Sequence, residues 1–334
     1  MAKWTEQMCR VVARVIGEHD RVIDAADDLA ELGVTIDAAK YQFREFNMGK
    51  LSEYTRKARS TAAAFDAFGC DGVTLPCPPN VPSVEVCDET RKIAFIPDTH
   101  IPFHHARAWM LTLEILNWWR PDTIVILGDF FDFYAPSRFD KSPKRQQRLV
   151  DELAFSRGFL DQLESMGASR LVYLEGNHEN RLARYVTSNA PALDGLPGLS
   201  VPEVLKLDAW EYLPYRKRLK IGDAHVSHDV DNKCGVTAIR RSLVSEMRST
   251  IIGHIHRAGT EVMMNADGDR LIGQSFGWLG DAEQIDYRDK ATAAREWPLG
   301  IGVGYYDDKH LDAHPVVYAN NGSRACLEGK VFRS

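Results

Sequence analysis

The strongest constraint on the fold is a set of four short polar motifs, each directly after an apolar run of β-strand character. The motifs are Asp98-Thr99-His100, Gly128-Asp129-Phe130-Phe131-Asp132, Gly176-Asn177-His178-Glu179 and Gly253-His254-Ile255-His256. Loops at the ends of neighbouring strands can converge on one point although they are far apart in sequence. We therefore expect the four motifs to form a single site at one edge of a sheet.

Apolar runs and helical segments alternate from residue 92 onwards. The runs predict strands at 93–96, 123–127, 170–174, 224–227 and 249–252, with helices around 105–119, 144–165 and 234–247 and one more after the third motif. Two further stretches, 259–276 and 299–318, resemble antiparallel strand pairs with polar turns. This order predicts an α/β fold in which two β-sheets pack as a sandwich flanked by helices.

Residues 1–70 predict a small all-α N-terminal domain. Apolar spacing indicates helices over 4–18, 22–32 and 37–46, with Gly33 ending the second and Thr35 or Asp37 capping the third. Two short helices around such a turn fit a helix-turn-helix that binds DNA. The basic residues that could face phosphates are Lys40, Arg44, Lys50, Arg56 and Lys57. The alternative is a helical hairpin that packs on the main domain or on another subunit.

A connector separates this segment from the main domain. Four prolines lie within residues 71–91, and proline density of this kind makes a semi-rigid extended linker. The main α/β domain is therefore predicted to span residues 92–334.

Composition restricts the class of protein further. The net charge of −6 does not suggest a protein that coats nucleic acid, although it leaves room for a local basic patch. We expect a cytoplasmic protein without a membrane partner, because neither a long apolar stretch nor a secretory signal is present. The six cysteines form no Cys-x-x-Cys pair, which favours free thiols; a small metal site of Cys70, Cys77 and Cys87 is the alternative.

The motif residues are the ligands that divalent metals require. Imidazole and carboxylate suit Mn, Fe and Zn, and two metals about 3.5–4 Å apart need one group that touches both. Asp129 is the bridging candidate, and Asn177 can offer its amide oxygen. A further ligand is expected between the third and fourth motifs. We favour His228 over His225, because His228 directly follows a predicted strand whereas His225 lies on it.

The motifs D-x-H, G-D-x-x-D, G-N-H-[ED], a lone His and G-H-x-H resemble the calcineurin-like metallophosphoesterase family over about residues 92–257. The resemblance implies a four-layer β-sandwich core flanked by helices and two divalent ions, with Mn favoured and Fe, Zn or Ni as alternatives. It implies that Asp98, His100, Asp129 and His256 hold one metal. It implies that Asp129, Asn177, His228 and His254 hold the other. His178 would be the acid near the leaving group, and Asp132 would orient it.

The residues after the second motif and the N-terminal segment bear on the class of substrate. Protein Ser/Thr phosphatases of this family carry an Arg-Gly pair after the second aspartate, where this chain has Phe133 and Tyr134. A helical N-terminal segment before such a domain also resembles phage and prophage phosphoesterases. We therefore expect hydrolysis of a nucleic-acid or nucleotide phosphodiester. The alternatives are a phosphomonoesterase or protein phosphatase, and a DNA-binding adaptor with a vestigial metal site.

Three residues after the motifs are candidates for contact with substrate. Arg138, Asn180 and Arg181 could bind a phosphate, since guanidinium groups do so bidentately. They could equally be solvated surface residues.

Overall fold

The computed structural model describes residues 6–19, 21–45, 48, 50, 90–138, 145, 148–231, 234–285, 289–319 and 321–334. The chain divides into two compact units, Met1–Val86 and Cys87–Ser334. Most of the predicted connector, together with Arg56 and Lys57, lies outside the described residues. Within the described part, no helix is both long enough and apolar enough to cross a membrane.

The N-terminal unit is helical and has its own apolar core. It contains α1 (Glu6–Ile16), a 3₁₀ helix (Val22–Ala25), α2 (Ala26–Glu31) and α3 (Ile36–Glu45). The buried residues of its core are Cys9, Val12, Ala13, Ile16, Ala25, Leu29, Val34, Ala39 and Phe43. Gly33 follows α2 with φ 69°, and the Thr35 hydroxyl accepts from the Ala38 amide at 3.2 Å. Thr35, one of the two candidates from the sequence, therefore caps α3.

The larger unit contains thirteen strands, two main sheets and six α-helices among the described residues. The strands are β1 (Arg91–Ile96), β2 (Thr123–Ile126), β3 (Arg170–Leu174), β4 (Glu211–Leu213), β5 (Leu219–Ile221), β6 (Ala224–Ser227), β7 (Ser249–Ile252), β8 (Ala258–Met264), β9 (Arg270–Phe276), β10 (Gly300–Tyr306), β11 (Leu311–Val317), β12 (Arg324–Leu327) and β13 (Lys330–Arg333). The helices are α4 (Ala106–Trp119), α5 (Leu149–Glu164), α6 (Arg181–Asn189), α7 (Val201–Leu205), α8 (Ala238–Glu246) and α9 (Lys290–Glu296). One sheet has the order β11-β10-β1-β2-β3-β4 and the other β5-β6-β7-β9-β8, while β12 and β13 form a separate hairpin.

The two main sheets pack face to face. Alternate residues of a strand point to opposite faces, so Ile93 and Phe95 of β1 enter the core between the sheets. There Phe95 stacks on Phe276 of β9 with ring centroids 5.3 Å apart. Ala94 and Ile96 point the other way, into a core shared with α4 and α5. The predicted α/β sandwich with flanking helices is confirmed.

The strand register places the four motifs at one edge. Strands β1, β2 and β3 are parallel, with Ile96 opposite Ile126 and Ile126 opposite Tyr173. In the second sheet β6 and β7 are also parallel, and Ser227 lies opposite Ile252. Each motif, and His228 after β6, begins within a few residues of the carboxyl end of its strand. The loops that carry the polar residues therefore leave both sheets at neighbouring positions.

Candidate metal centre

The first cluster of candidate ligands joins the first and fourth motifs. The Nε2 atoms of His100 and His256 lie 3.0 Å apart, and Nε2 of His256 lies 3.4 Å from Oδ1 of Asp98. All three side chains are buried. Imidazole nitrogens and a carboxylate that converge in this way could hold a divalent cation.

The second cluster joins the second, third and fourth motifs with the lone histidine. Nε2 of His228 lies 3.1 Å from Oδ1 of Asn177 and 3.4 Å from Oδ2 of Asp129. The candidate ligand atoms of Asp129, His228 and His254 lie within 4.8 Å of one another. His225, the competing histidine, instead contacts Glu246 at 3.1 Å. The structure thus places all the candidate ligands of the four motifs, together with His228, in two clusters.

The orientation of two imidazoles fits a metal. Nδ1 of His228 lies 2.8 Å from the Leu127 carbonyl oxygen, and Nδ1 of His100 lies 3.3 Å from Oδ1 of Asp132. Because both partners only accept, each Nδ1 carries a proton, and each Nε2 is the atom that faces its cluster and is available to a cation. Carboxylate, imidazole and amide oxygen together suit Mn, Fe or Zn. The donors present therefore fit a divalent cation in each cluster.

Electrostatics in the second cluster also favours positive charge. Burial alone would lower the pKa of His228, but the carboxylates of Asp129 and Asp98 raise this pKa to about 10. Burial would raise the pKa of Asp129, yet the surrounding histidines, chiefly His178 and His228, hold it well below its ordinary value. A proton and a metal ion compete for the same Nε2 atom. A site that attracts a proton this strongly also attracts a cation.

Several candidate ligands have a strained backbone. The φ angles of His100, Asp129, His254 and His256 are 53°, 48°, 63° and 56°. Side chains other than glycine rarely adopt this left-handed region, and such residues cluster at functional sites. The strain is consistent with loops that are bent to aim ligands inward.

Glu179 holds the loops of the second and third motifs together, a role that sequence reasoning missed. Oε1 accepts from the amides of Phe130 and Phe131 at 2.8 and 3.1 Å and from the Tyr173 hydroxyl at 2.8 Å. Oε2 accepts from the amides of Asp129 and Gly176 at 3.0 and 2.9 Å. Burial and the charge of Asp129 raise the pKa of Glu179 to about 7. Its position inside the third motif was the available signal.

Gly176 is required by the close approach of these two loops. A Cβ atom at this position would lie 2.2 Å from both the amide nitrogen and Oδ1 of Asp129. Only glycine leaves room for the bridging candidate to reach its position.

His178 and Asp132, the predicted acid and its orienting partner, are in direct contact. Nδ1 of His178 lies 2.9 Å from Oδ1 of Asp132. Arg181 donates to the Asp132 carbonyl at 2.8 Å, and its Nη2 lies 2.9 Å from Nε2 of His178. Because a guanidinium only donates, this contact places the imidazole proton on Nδ1. Burial would lower the pKa of His178, but the charges of Asp129 and Asp132 raise it above its ordinary value.

Two tryptophans that follow the last motif pack around His256. Trp278 stacks on the imidazole with centroids 4.9 Å apart, and Trp297 meets it edge-on at 4.4 Å. Both indoles are buried. They restrict the rotation of His256, and their distance from the motifs in sequence concealed this role.

A cleft of about 840 Å³ opens beside the metal centre. Its lining residues are Pro136, Ser137, Arg138, Asn177, Asn180, Arg181, Arg184, Tyr185, Ser188, Asn189, Tyr215, Arg216 and His254. All three predicted substrate contacts, Arg138, Asn180 and Arg181, line this cleft. By contrast, the aromatic side chains of the second motif are buried in the core and do not line the cleft.

The N-terminal basic residues lie in the other unit. Lys40 pairs with Asp37 at 3.2 Å, and the side chains of Arg44 and Lys50 are exposed. Among the described cysteines, Cys9, Cys234 and Cys326 form no disulfide, whereas the proposed cysteine site of Cys70, Cys77 and Cys87 falls outside the described residues.

Comparison with known proteins identifies the family of this chain. The sequence model of the calcineurin-like phosphoesterase family matches residues 91–258. The chain therefore belongs to the calcineurin-like phosphoesterases, hydrolases of phosphate esters that use divalent metals, and the predicted resemblance is confirmed.

Two relatives are phage proteins. The Gene 54 protein of Mycobacterium phage L5 is 27% identical over 259 residues, which cover 73% of this chain and 99% of the relative. The Gene 54 protein of Mycobacterium phage D29 is 26% identical over 260 residues, with the same coverage of 73% and 99%.

Solved structures give more distant similarities. A Vps29 mutant from Entamoeba histolytica is 15% identical with a TM-score of 0.36, covering 72% of this chain and 95% of its own. A dimetal phosphatase from Danio rerio is 10% identical with a TM-score of 0.36, covering 67% and 95%.

Proposed function

We propose that the protein is a phosphodiesterase that hydrolyses a nucleic-acid or nucleotide phosphodiester with the help of two divalent cations. The observation that carries this proposal is the presence of two ligand clusters, Asp98-His100-His256 and Asp129-His228-His254, on the border of an arginine-lined cleft. Bound cations, with Mn favoured and Fe, Zn or Ni as alternatives, would acidify the attacking water and offset charge on the phosphoryl oxygens.

The proposed ligand sets share one carboxylate. Asp98, His100, Asp129 and His256 would hold one cation, and Asp129, Asn177, His228 and His254 the other. Asp129 suits the bridging position because its Oδ1 is already fixed by the His178 amide at 2.8 Å, while Oδ2 faces His228 at 3.4 Å.

His178 would protonate the departing oxygen. Asp132 holds Nδ1, so the imidazole turns Nε2 towards Arg181, which lines the cleft. Arg181 occupies Nε2 by a hydrogen bond, and a substrate phosphate offers this guanidinium a charged partner instead. Movement of Arg181 onto the phosphate would free Nε2 to take up the proton that the raised pKa of His178 favours.

A diester is favoured over a phosphoprotein by two features. Phe133 occupies the position after Asp132 and is fully buried, so no guanidinium reaches the phosphate from there. The cleft of about 840 Å³ also exceeds what one phosphate requires and lies within the range for ligands of drug size.

The test compares three substrates with the full chain in Mn²⁺. We expect turnover of bis-p-nitrophenyl phosphate and of labelled DNA to exceed that of p-nitrophenyl phosphate. His178→Ala should lower diester turnover about 10²-fold or more, whereas the exposed His310→Ala should leave it unchanged. Monoester turnover alone, with inert DNA, would contradict the diester proposal and leave the family assignment intact.

A separate proposal concerns the N-terminal unit, in which α2 and α3 would form a DNA-binding helix-turn-helix. Arg44 supports it, since this exposed residue in the last turn of α3 forms no ion pair with any other described residue. A triple substitution of Lys50, Arg56 and Lys57 by Gln should then weaken DNA binding while His178→Ala does not. Equal DNA affinity of the triple variant and the unmodified protein would argue for a packing role.

A further inference from the structure

Helix α6 turns one polar face towards the cleft. Residues at positions i, i+3, i+4, i+7 and i+8 share a helix face, and the cleft-lining residues follow this spacing: Arg181, Arg184, Tyr185, Ser188 and Asn189. Leu182 and Val186 on the opposite side are buried. Arg181 contacts His178, and the face continues for about 12 Å beyond it at 1.5 Å per residue. The cleft therefore extends well past the site where one phosphate would react.

The charged side chains that line the cleft are all positive. Four arginines line it, and no aspartate or glutamate does so among the described residues. This is a local excess of positive charge in a chain whose net charge is −6. Arg184 is exposed and forms no ion pair within the described part of the chain. An exposed arginine in a concave site attracts phosphate groups when no carboxylate of the protein pairs with it.

Two tyrosines, Tyr185 and Tyr215, line the cleft together with the arginines. The side chain of Tyr185 next to Arg184 is 49% exposed. Two more lining residues are in contact, since the Arg216 guanidinium lies over the Tyr215 ring, 5.4 Å from its centroid, while the Tyr215 hydroxyl donates to Asp229 at 2.7 Å. An open aromatic ring beside an arginine is the combination that stacks an unpaired base and holds its phosphate. We call Arg184, Tyr185 and Arg216 the distal cleft.

We propose that the distal cleft binds the nucleotide adjacent to the scissile phosphodiester of a single-stranded nucleic acid. Arg184 and Arg216 would contact the neighbouring phosphate, and Tyr185 would stack on the neighbouring base. A single strand is favoured because only an unpaired base can lie against the Tyr185 ring. Cleavage next to the bound nucleotide depends on the proposed function, whereas binding of the strand by the distal cleft does not.

Binding is tested with the full chain in Mn²⁺. The probe is a fluorescent single-stranded phosphorothioate oligonucleotide, which keeps its charge and resists hydrolysis. We expect Arg184→Gln and Tyr185→Ala each to raise Kd about fivefold or more. Arg184→Gln should also lower the slope of log K against log salt by about 0.7, the value for one phosphate contact on a single strand. The exposed Arg107→Gln on α4 is the matched control and should change neither.

A second readout separates this inference from the proposed function. For the Arg184→Gln/Tyr185→Ala double variant, kcat/KM for an unmodified oligonucleotide should fall at least tenfold relative to kcat/KM for bis-p-nitrophenyl phosphate. Weakened binding by these variants in a protein that hydrolyses no diester would support the distal cleft and refute the proposed function. Equal Kd values for variants and unmodified protein, no measurable binding, or a blunt duplex bound as tightly as the single strand would overturn the distal cleft.

Discussion

At the scale of single residues, the candidate metal centre contains imidazoles whose second ring nitrogen is held by a hydrogen-bond partner outside the ligand set. Leu127 fixes the imidazole of His228, and Asp132 contacts those of both His100 and His178. The sequence suggested His228 because it follows a predicted strand, and the family resemblance suggested Asp132. It could not assign a role to Glu179, since nothing in a linear motif shows that one carboxylate accepts from several amides of another loop.

Removal of the Asp132 charge should impair catalysis more than folding. Asp132→Asn exchanges a charged carboxylate that contacts two imidazoles for a neutral amide with a single acceptor oxygen, and weakening of such a partner typically costs 10–100-fold in metal affinity or activity. We therefore expect kcat for bis-p-nitrophenyl phosphate to fall by about that factor. The control is Asp312→Asn, because Asp312 is 71% exposed and pairs with Arg270 at the surface. Equal kcat for Asp132→Asn and unmodified protein would exclude the orienting role.

A buried carboxyl of α5 should make stability depend on pH. Burial and the nearby charge of Asp132 raise the pKa of Glu152 to about 8, above its ordinary value of 4.5. The folded state therefore binds more protons than the unfolded state between these values. The free energy of unfolding should fall as pH rises through this window, by at most about 1.4 kcal/mol per pH unit from this group.

Urea unfolding at several pH values between 5 and 8 measures this effect. Glu152→Gln should flatten the pH dependence, because an amide does not ionise. Glu114→Gln on the exposed side of α4 should leave the slope unchanged. The same slope in the Glu152→Gln and unmodified proteins would show that Glu152 does not titrate in this range.

At the scale of elements, strands made of buried apolar residues were predictable from the sequence, and short strands with exposed positions were not. Strands β1, β2, β3, β6 and β7 and the pairs β8–β9 and β10–β11 match the sequence-based prediction. Strands β2, β6 and β7 have only four residues each, but almost all of these are buried, so each strand forms a compact apolar run. Strands β4 and β5 have three residues each, and β12 and β13 mix exposed with buried positions over four, so no apolar run marks them. Such elements are stabilised by packing onto a completed sheet, so they depend on tertiary contacts.

The same limit hid the distal cleft. The residues of α6 that face it are ordinary polar residues at helical spacing, and a helical face with this pattern is usually solvated. Their proposed role in binding follows only from the position of α6 beside the candidate metal centre, which the sequence does not show.

Two glycines should respond in opposite ways to alanine, because Gly176 lies where the second and third motif loops meet and Gly158 lies on an open helix surface. Gly176→Ala would place Cβ 2.2 Å from Asp129, so we expect loss of metal binding and destabilisation of about 1–3 kcal/mol. Gly158 lies within α5 with no atom near its would-be Cβ, so Gly158→Ala should stabilise by about 0.5–1 kcal/mol. Urea unfolding and metal analysis measure both. Full metal binding by Gly176→Ala would contradict the packing described here.

At the scale of the whole molecule, all the candidate ligands lie in one unit. Cys87–Ser334 contains both clusters and its own cores, while Met1–Val86 has a separate apolar core. We therefore expect a fragment of residues 87–334 to retain turnover of bis-p-nitrophenyl phosphate within about twofold of the full chain, since no described ligand is lost. A fragment that is folded by circular dichroism but inactive would show that the N-terminal unit contributes to the reaction.

We propose that Asp129 joins two metal sites, and metal analysis of protein purified with Mn²⁺ is the decisive test of this arrangement. We expect about two ions per chain in the unmodified protein. Asp129→Ala should reduce this number to one or fewer and abolish diester turnover, while Asp312→Ala should retain both ions. An unmodified protein that binds no divalent ion, or an Asp129→Ala variant that binds as many ions as the unmodified protein, would contradict it.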